Sequence, residues 1–241
     1  MKKNIIALFG VFVLIALVGT YFVYSYPKDK KITEESKTID MCFSYAKKTT
    51  SGFEDRAWLL MKIDGEKVTG EYRNLPAEKD SKVGMFVGTV GAFDPYISGR
   101  RAEVMWNSLA EGVNVTEELI IEFGEGSAVA LFGEMADRGD GVYVYKDKIK
   151  VTPGFLMSQV DCESMLERQA VEKYLREHIS DLAEPAVLGG TWYVLNTSID
   201  TSNDAGDVTY EDGHMQKTNH FSYTFDKATG KVEILNFNFG K

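Results

Sequence analysis

The chain has 241 residues, 44% of them hydrophobic and 26% charged, with a formal net charge of −9. That is too much apolar content for a disordered protein and the wrong sign for a nucleic-acid binder, which shows a basic face. Two cysteines cannot build a disulfide-dense scaffold or a four-thiolate zinc site, and 22 glycines against five prolines suit a turn-rich β protein.

Met1–Lys3 is a short positive segment. Ile5–Tyr24 follows as twenty uncharged residues, about 30 Å of helix and so long enough to cross a bilayer core. Tyr21, Tyr24 and Tyr26 lie at its far end, where aromatic rings favour the interface, and Pro27 stops the helix. Residues 1–26 therefore read as a transmembrane signal anchor that contacts the lipid bilayer through residues 5–24. Its N-terminus is placed in the cytoplasm and the bulk of the chain outside it. The alternative is secretion after cleavage near Ser25, since a cleaved signal has a shorter apolar run. Lys2 and Lys3 leave with this segment and no acidic residue does, so the remainder carries −11. Such a part is repelled by anionic surfaces.

Residues 27–41 read as a polar stalk. From Cys42 the pattern turns to short apolar alternations broken by turn residues. Ala57, Leu59, Met61 and Ile63 share one strand face, and Asp64-Gly65 signals a two-residue hairpin in which both turn positions need φ > 0. Further strands are expected at Val68–Arg73, Met85–Val90, Ala102–Trp106, Leu119–Phe123, Ala128–Phe132 and Val142–Tyr145. Gly124-Glu125-Gly126 and Asp140-Gly141 supply tight connections. Seven or eight antiparallel strands make residues 42–160 a closed barrel or a sandwich.

Residues 161–241 read as a helix plus a β meander. Val171, Tyr174, Leu175, Ile179 and Leu182 recur at helical spacing over Met165–Leu182. Glu167, Arg168, Glu172, Lys173, Arg176 and Glu177 take other positions, with Glu172 on the expected solvated side. Strands follow near Thr191–Ile199, Asp207–Glu211, Lys217–Phe225 and Lys231–Phe239, with turns at Asn203–Gly206, Asp212-Gly213 and Ala228–Gly230. The fold class is mainly β, with an α+β C-terminal part.

Chemistry is sparse. The sequence lacks the nucleophile elbow, the paired-histidine zinc motif, the phosphate-binding loop and the dinucleotide glycine fingerprint, so no catalytic residue, cofactor or metal ligand is assigned. Cys42 and Cys162 bracket the first β unit and are expected to form one disulfide outside the cytoplasm. His178 reads as a partly buried structural histidine. His214 and His220 read as hairpin residues rather than zinc ligands, and Glu134–Gly141 as a solvated acidic turn rather than a calcium loop. Glu117 and Glu118 face opposite ways on a strand, so they cannot share a cleft as acid and base. Glu118 and Glu122 share a face. The aromatic side chains Tyr72, Trp106, Tyr143 and Trp192 are the candidate ligand-binding residues, against the plainer role of core filling.

Gly70-Glu71-Tyr72 with Leu75–Asp80, then Glu117–Gly126, Phe132–Met135 and Tyr210–His214, resemble a family of exported or membrane-anchored bacterial proteins without assigned activity. The resemblance covers most of the chain after residue 41. It implies a bacterial envelope setting, in which Asn114 and Asn196 stay unglycosylated, and no cofactor or catalytic residue. In pattern the first β unit is similar to calycin-type barrels. The C-terminal unit is similar to cystatin-like or nuclear-transport-factor-like folds. These fold likenesses imply no activity by themselves. The expectation is a membrane-tethered extracytoplasmic protein, more non-enzymatic than enzymatic, that binds a small ligand or an envelope partner. An envelope hydrolase of glycan or peptide and a purely structural component are the alternatives.

Overall fold

The structure is a computed structural model, and it describes residues 38–50, 53–77, 79–186 and 189–239. The expected anchor and most of the stalk lie outside these residues. Among the described residues no helix is long and apolar enough to cross a membrane.

Ten strands precede the helix: β1 (Ile39–Lys48), β2 (Glu54–Asp64), β3 (Lys67–Leu75), β4 (Lys82–Asp94), β5 (Gly99–Ala110), β6 (Val113–Gly124), β7 (Ser127–Phe132), β8 (Met135–Asp137), β9 (Val142–Tyr145) and β10 (Thr152–Val160). β1 to β7 run as an antiparallel meander. β10 then pairs with both β7 and β1, so eight strands close into an antiparallel barrel. Of the two expected architectures, the barrel is the one found. β1 and β10 are the strands that local pattern did not separate.

Alternation fills the barrel. Ala57, Leu59, Met61 and Ile63 point inward with Phe43, Tyr72, Trp106, Leu119, Ile121 and Met157, and together they form its core. The interior is side chain rather than pore, as the diameter of eight strands dictates. Two glycines make room for the largest rings. A Cβ on Gly70 would stand 2.5 Å from the Phe86 ring, and one on Gly84, whose carbonyl accepts from Trp106 Nε1, would stand 2.0 Å from the Asn107 carbonyl oxygen.

The hairpin after β2 differs by one residue from expectation. Asp64 stays paired with Lys67 and the turn is Gly65-Glu66, with only Gly65 at positive φ (+62°). Glu125-Gly126 does place both turn residues at positive φ, as does Glu111-Gly112. β8 and β9 cover the outer wall at β6 and β7. There Ile120, Leu131 and Tyr145 make a second small core, and the Tyr145 hydroxyl donates to the Leu131 carbonyl at 2.6 Å. This cover explains why Leu119-Ile120-Ile121 is apolar on both faces.

Helix α1 spans Cys162–Leu182. Asp161 caps it by accepting from the Ser164 amide at 2.8 Å. Four antiparallel strands follow in meander order: β11 (Tyr193–Asp200), β12 (Ala205–Glu211), β13 (Gln216–Asp226) and β14 (Lys231–Phe239). Val171, Leu175 and Ile179 of the helix pack with Val194, Val208, Tyr210, Phe221 and Tyr223 of the sheet. The face shared by Phe221, Tyr223 and the half-buried Phe225 is thus the one that meets the helix. Gly206, expected in a turn, is a strand residue with the Phe221 ring against it.

Barrel and helix are fastened twice. Cys42 on the outer wall of β1 is disulfide-bonded to Cys162 at the helix start. Nearly three turns further along, Glu172 reaches β2. Glu172 was expected on the solvated side of the helix. It is 8% exposed instead, because the helix buries two faces, one on the sheet and one on the barrel. Glu167, also expected among the outward positions, is 7% exposed and accepts from the Tyr223 hydroxyl at 2.7 Å.

Candidate functional site

The four aromatic residues singled out from sequence fall in three places. Tyr72 and Trp106 lie inside the barrel with ring centroids 5.1 Å apart, both fully buried. Burial pushes the Tyr72 phenol well above its usual range. Tyr143 is exposed on β9. Trp192 is buried in the C-terminal core, edge-on to Tyr210 at 4.9 Å, with Nε1 donating to the Glu184 carbonyl. Only Tyr72 and Trp106 are brought together, and they fill the core.

The other candidate groups are tied down locally. His178 is half-buried and stacks on Tyr174. His220 pairs with Asp207 at 3.1 Å, and both are exposed. Asp137 accepts from the Gly139 amide while Arg138 pairs with Asp140, so the acidic turn closes on itself. Glu118 and Glu122 lie on the outer wall and pair with Lys148 and Arg101. Glu117 faces inward and pairs with Lys82 at 2.8 Å, at the barrel mouth. Among the described residues no group of three or more histidine, cysteine, aspartate or glutamate side chains is placed to hold a metal ion.

Two concavities lie elsewhere, where α1 crosses the outer wall of β1, β2 and β3. On β2 the inward residues are Ala57 and Leu59, so Arg56 and Trp58 point outward. Arg73, paired with Trp58 across to β3, points the same way. The half-buried Trp58 ring is flanked by both guanidiniums, with Cζ 5.8 Å (Arg56) and 5.6 Å (Arg73) from its centroid. From the helix, Glu172 accepts two hydrogen bonds from Arg56 Nη1, at 2.9 and 3.1 Å. Arg176, one helical turn on, donates to Glu172 through Nε and Nη2 at 3.0 and 2.7 Å. Its Nη1 donates to the Val194 carbonyl of β11 at 2.8 Å. One carboxylate thus joins barrel, helix and sheet.

Burial alone pushes the Glu172 carboxyl up. The attraction of Arg56 and the hydrogen bonds and charge of Arg176 outweigh it, so the group lies below the usual carboxylate range. A carboxylate held ionised in this way is a structural anion and a poor proton carrier. Two cavities open on either side of it, of about 480 and 680 Å³, and both are lined by Arg56, Trp58 and Glu172. Those volumes are in the range of small-molecule sites.

Arg56, Trp58 and Arg73 carry no motif that marks them in the sequence, and Arg176 reads there only as a polar helix position. A usable signal was present in Trp58, a large aromatic residue on the outward phase of a strand whose inward phase is plainly apolar. No protein-family model matches the chain, and no curated protein or solved structure is detectably similar to it.

Proposed function

We propose that the protein is a membrane-tethered, extracytoplasmic binding protein without catalytic chemistry of its own, and that its ligand site is the cleft around Trp58. The observation that carries this reading is the junction of two small-molecule-sized cavities on one rigid set of side chains, Arg56, Trp58 and Glu172. The packed barrel interior argues for a ligand on the outer wall, because Tyr72, Trp106 and their neighbours leave it no room. The locked state of Glu172 favours binding over proton transfer. We place the barrel near the calycin type and the C-terminal unit near the cystatin-like or nuclear-transport-factor-like type, on strand number and element order alone.

The test is ligand-observed NMR with the full chain and a library of small polar molecules. Compounds that bind should lose their signal against Trp58→Ala and keep it against Tyr96→Ser, a change on a 97% exposed residue of the β4–β5 connection. Binders indifferent to Trp58→Ala would place the site elsewhere. For the compartment, a reporter fused after Lys241 and active only outside the cytoplasm should give signal, with the protein retained on membranes after a high-salt wash. Release into the medium would favour cleavage near Ser25.

A further inference from the structure

The two cavities of the cleft differ in charge. The smaller carries Arg56 and Arg168 against Glu54, Asp161 and Glu172, one negative charge in excess. The larger carries Arg56, Arg73, Lys173 and Arg176 against Glu172 and Glu177, with Glu71 paired to Arg73 beside it, one positive charge in excess, in a chain whose net charge is −9. Its two carboxylates are already engaged, Glu172 by Arg56 and Arg176, Glu177 by Lys173 at 3.9 Å.

Beside Trp58, donor capacity is left over on the lining of the larger cavity. Arg56 reaches Glu172 through Nη1 alone, and Arg73 reaches Glu71 through Nε alone at 2.7 Å. Nε and Nη2 of Arg56 and both Nη groups of Arg73 therefore have no hydrogen-bond partner among the described residues. These are the two guanidiniums that flank Trp58. The remaining wall is formed by Leu75, Leu166, Gln169 and Ala170, mostly apolar, and Leu166 is 46% exposed on the helix.

We infer that the larger cavity binds an organic anion with a flat apolar body, its carboxylate or like group on Arg73 and Arg56 and its body against Trp58 and Leu166. A guanidinium presents paired N–H groups that match a carboxylate and fix its orientation. A planar body stacks on both the indole and the guanidinium planes. A small inorganic anion leaves the leucine wall unused, and a neutral ring leaves the spare donors unused. The smaller cavity, with its excess negative charge, does not share this preference. The inference rests on the cleft reading above and narrows it to one chemical class.

The test is isothermal titration of the full chain with 2-naphthoate, with 2-naphthamide (the same rings without the charge) and acetate (the charge without the rings) as comparators. One naphthoate per chain is expected, with both comparators weaker by about tenfold or more. Arg73→Gln leaves the Glu172 cluster intact and should bring naphthoate down to the naphthamide level. Arg73→Lys, which keeps the charge and loses the fork, should recover only part of the affinity. Leu166→Asp should abolish binding, with circular dichroism confirming that each variant is folded. If naphthamide binds as tightly as naphthoate and both are lost in Trp58→Ala, the anion inference falls and the cleft reading stands. Naphthoate binding unchanged in both Arg73→Gln and Trp58→Ala overturns both. Absence of naphthoate binding up to ~10 mM overturns the anion inference alone.

Discussion

Glu172→Gln removes a charge and keeps the side chain's size, so it isolates the clamp between helix and barrel. The wild-type Glu172 side chain is 11% exposed and the Arg56 side chain 18%, while that of Arg176 is 39% exposed. Breaking a fully buried ion pair by removing one partner costs ~3–5 kcal/mol, because the surviving charge is left uncompensated. Here Arg176 recovers water readily and Arg56 in part, which puts the expected loss at ~2–3 kcal/mol. For a chain of this length that is a fall in melting temperature of roughly 5–10 °C. The pH dependence has a definite sign. The folded pKa of Glu172 lies below its unfolded value. Its contribution is therefore complete above the unfolded carboxylate range, near ~4.3, and is lost as pH falls through the folded value. Melts of wild type and Glu172→Gln should differ at pH 7 and converge as the pH falls below the unfolded carboxylate range and through the folded value. A double-mutant cycle with Arg56→Met should show a coupling of ~1 kcal/mol or more. Equal melting temperatures at pH 7, or a gap that persists unchanged into acid, would refute the clamp.

Leu175→Ala removes a fully buried side chain between helix and sheet and should cost ~2–5 kcal/mol in a denaturant titration of the full chain. Replacing Cys42 and Cys162 together by serine opens a loop with a sequence separation of 120, with an expected loss of up to ~4–5 kcal/mol in the chain-entropy model. The wild-type protein should show no alkylatable thiol before reduction. Tyr72→Phe removes a buried hydroxyl that has no hydrogen-bond partner among the described residues, so it should raise stability by about 1 kcal/mol. A fall of that size would mean that the hydroxyl is bonded to a bound molecule.

Much of the fold was legible where one face of an element is buried and the other is wet. Ala57 to Ile63 alternate cleanly, and Val171, Leu175 and Ile179 keep helical spacing, because each set answers to a single neighbour. β10 was not legible. Thr152, Pro153 and Gly154 are all exposed, a register shift separates Pro153 from Leu156, and Met157 is the strand's one fully buried residue. Closure was not legible either, since it depends on pairing Cys42 with Val160, residues far apart in the chain. The site failed for a related reason. Glu172 reads as solvated because its partner Arg56 is 116 residues away in sequence. Trp58 reads as one more strand aromatic until its parity is compared with that of Leu59.

The Cys42–Cys162 bond has a mechanical consequence. A pull applied between the chain before Cys42 and the C-terminal sheet travels through the bond straight into α1, bypassing the barrel strands between. Were the bond absent, the same load would run along those strands and could draw out roughly 400 Å of chain as they gave way. With it in place, the barrel hangs beside the line of force. Apart from Ile39–Met41 at the start of β1, only the helix and the four-stranded sheet carry tension, so stretching one molecule should show a much shorter extension under oxidising than under reducing conditions.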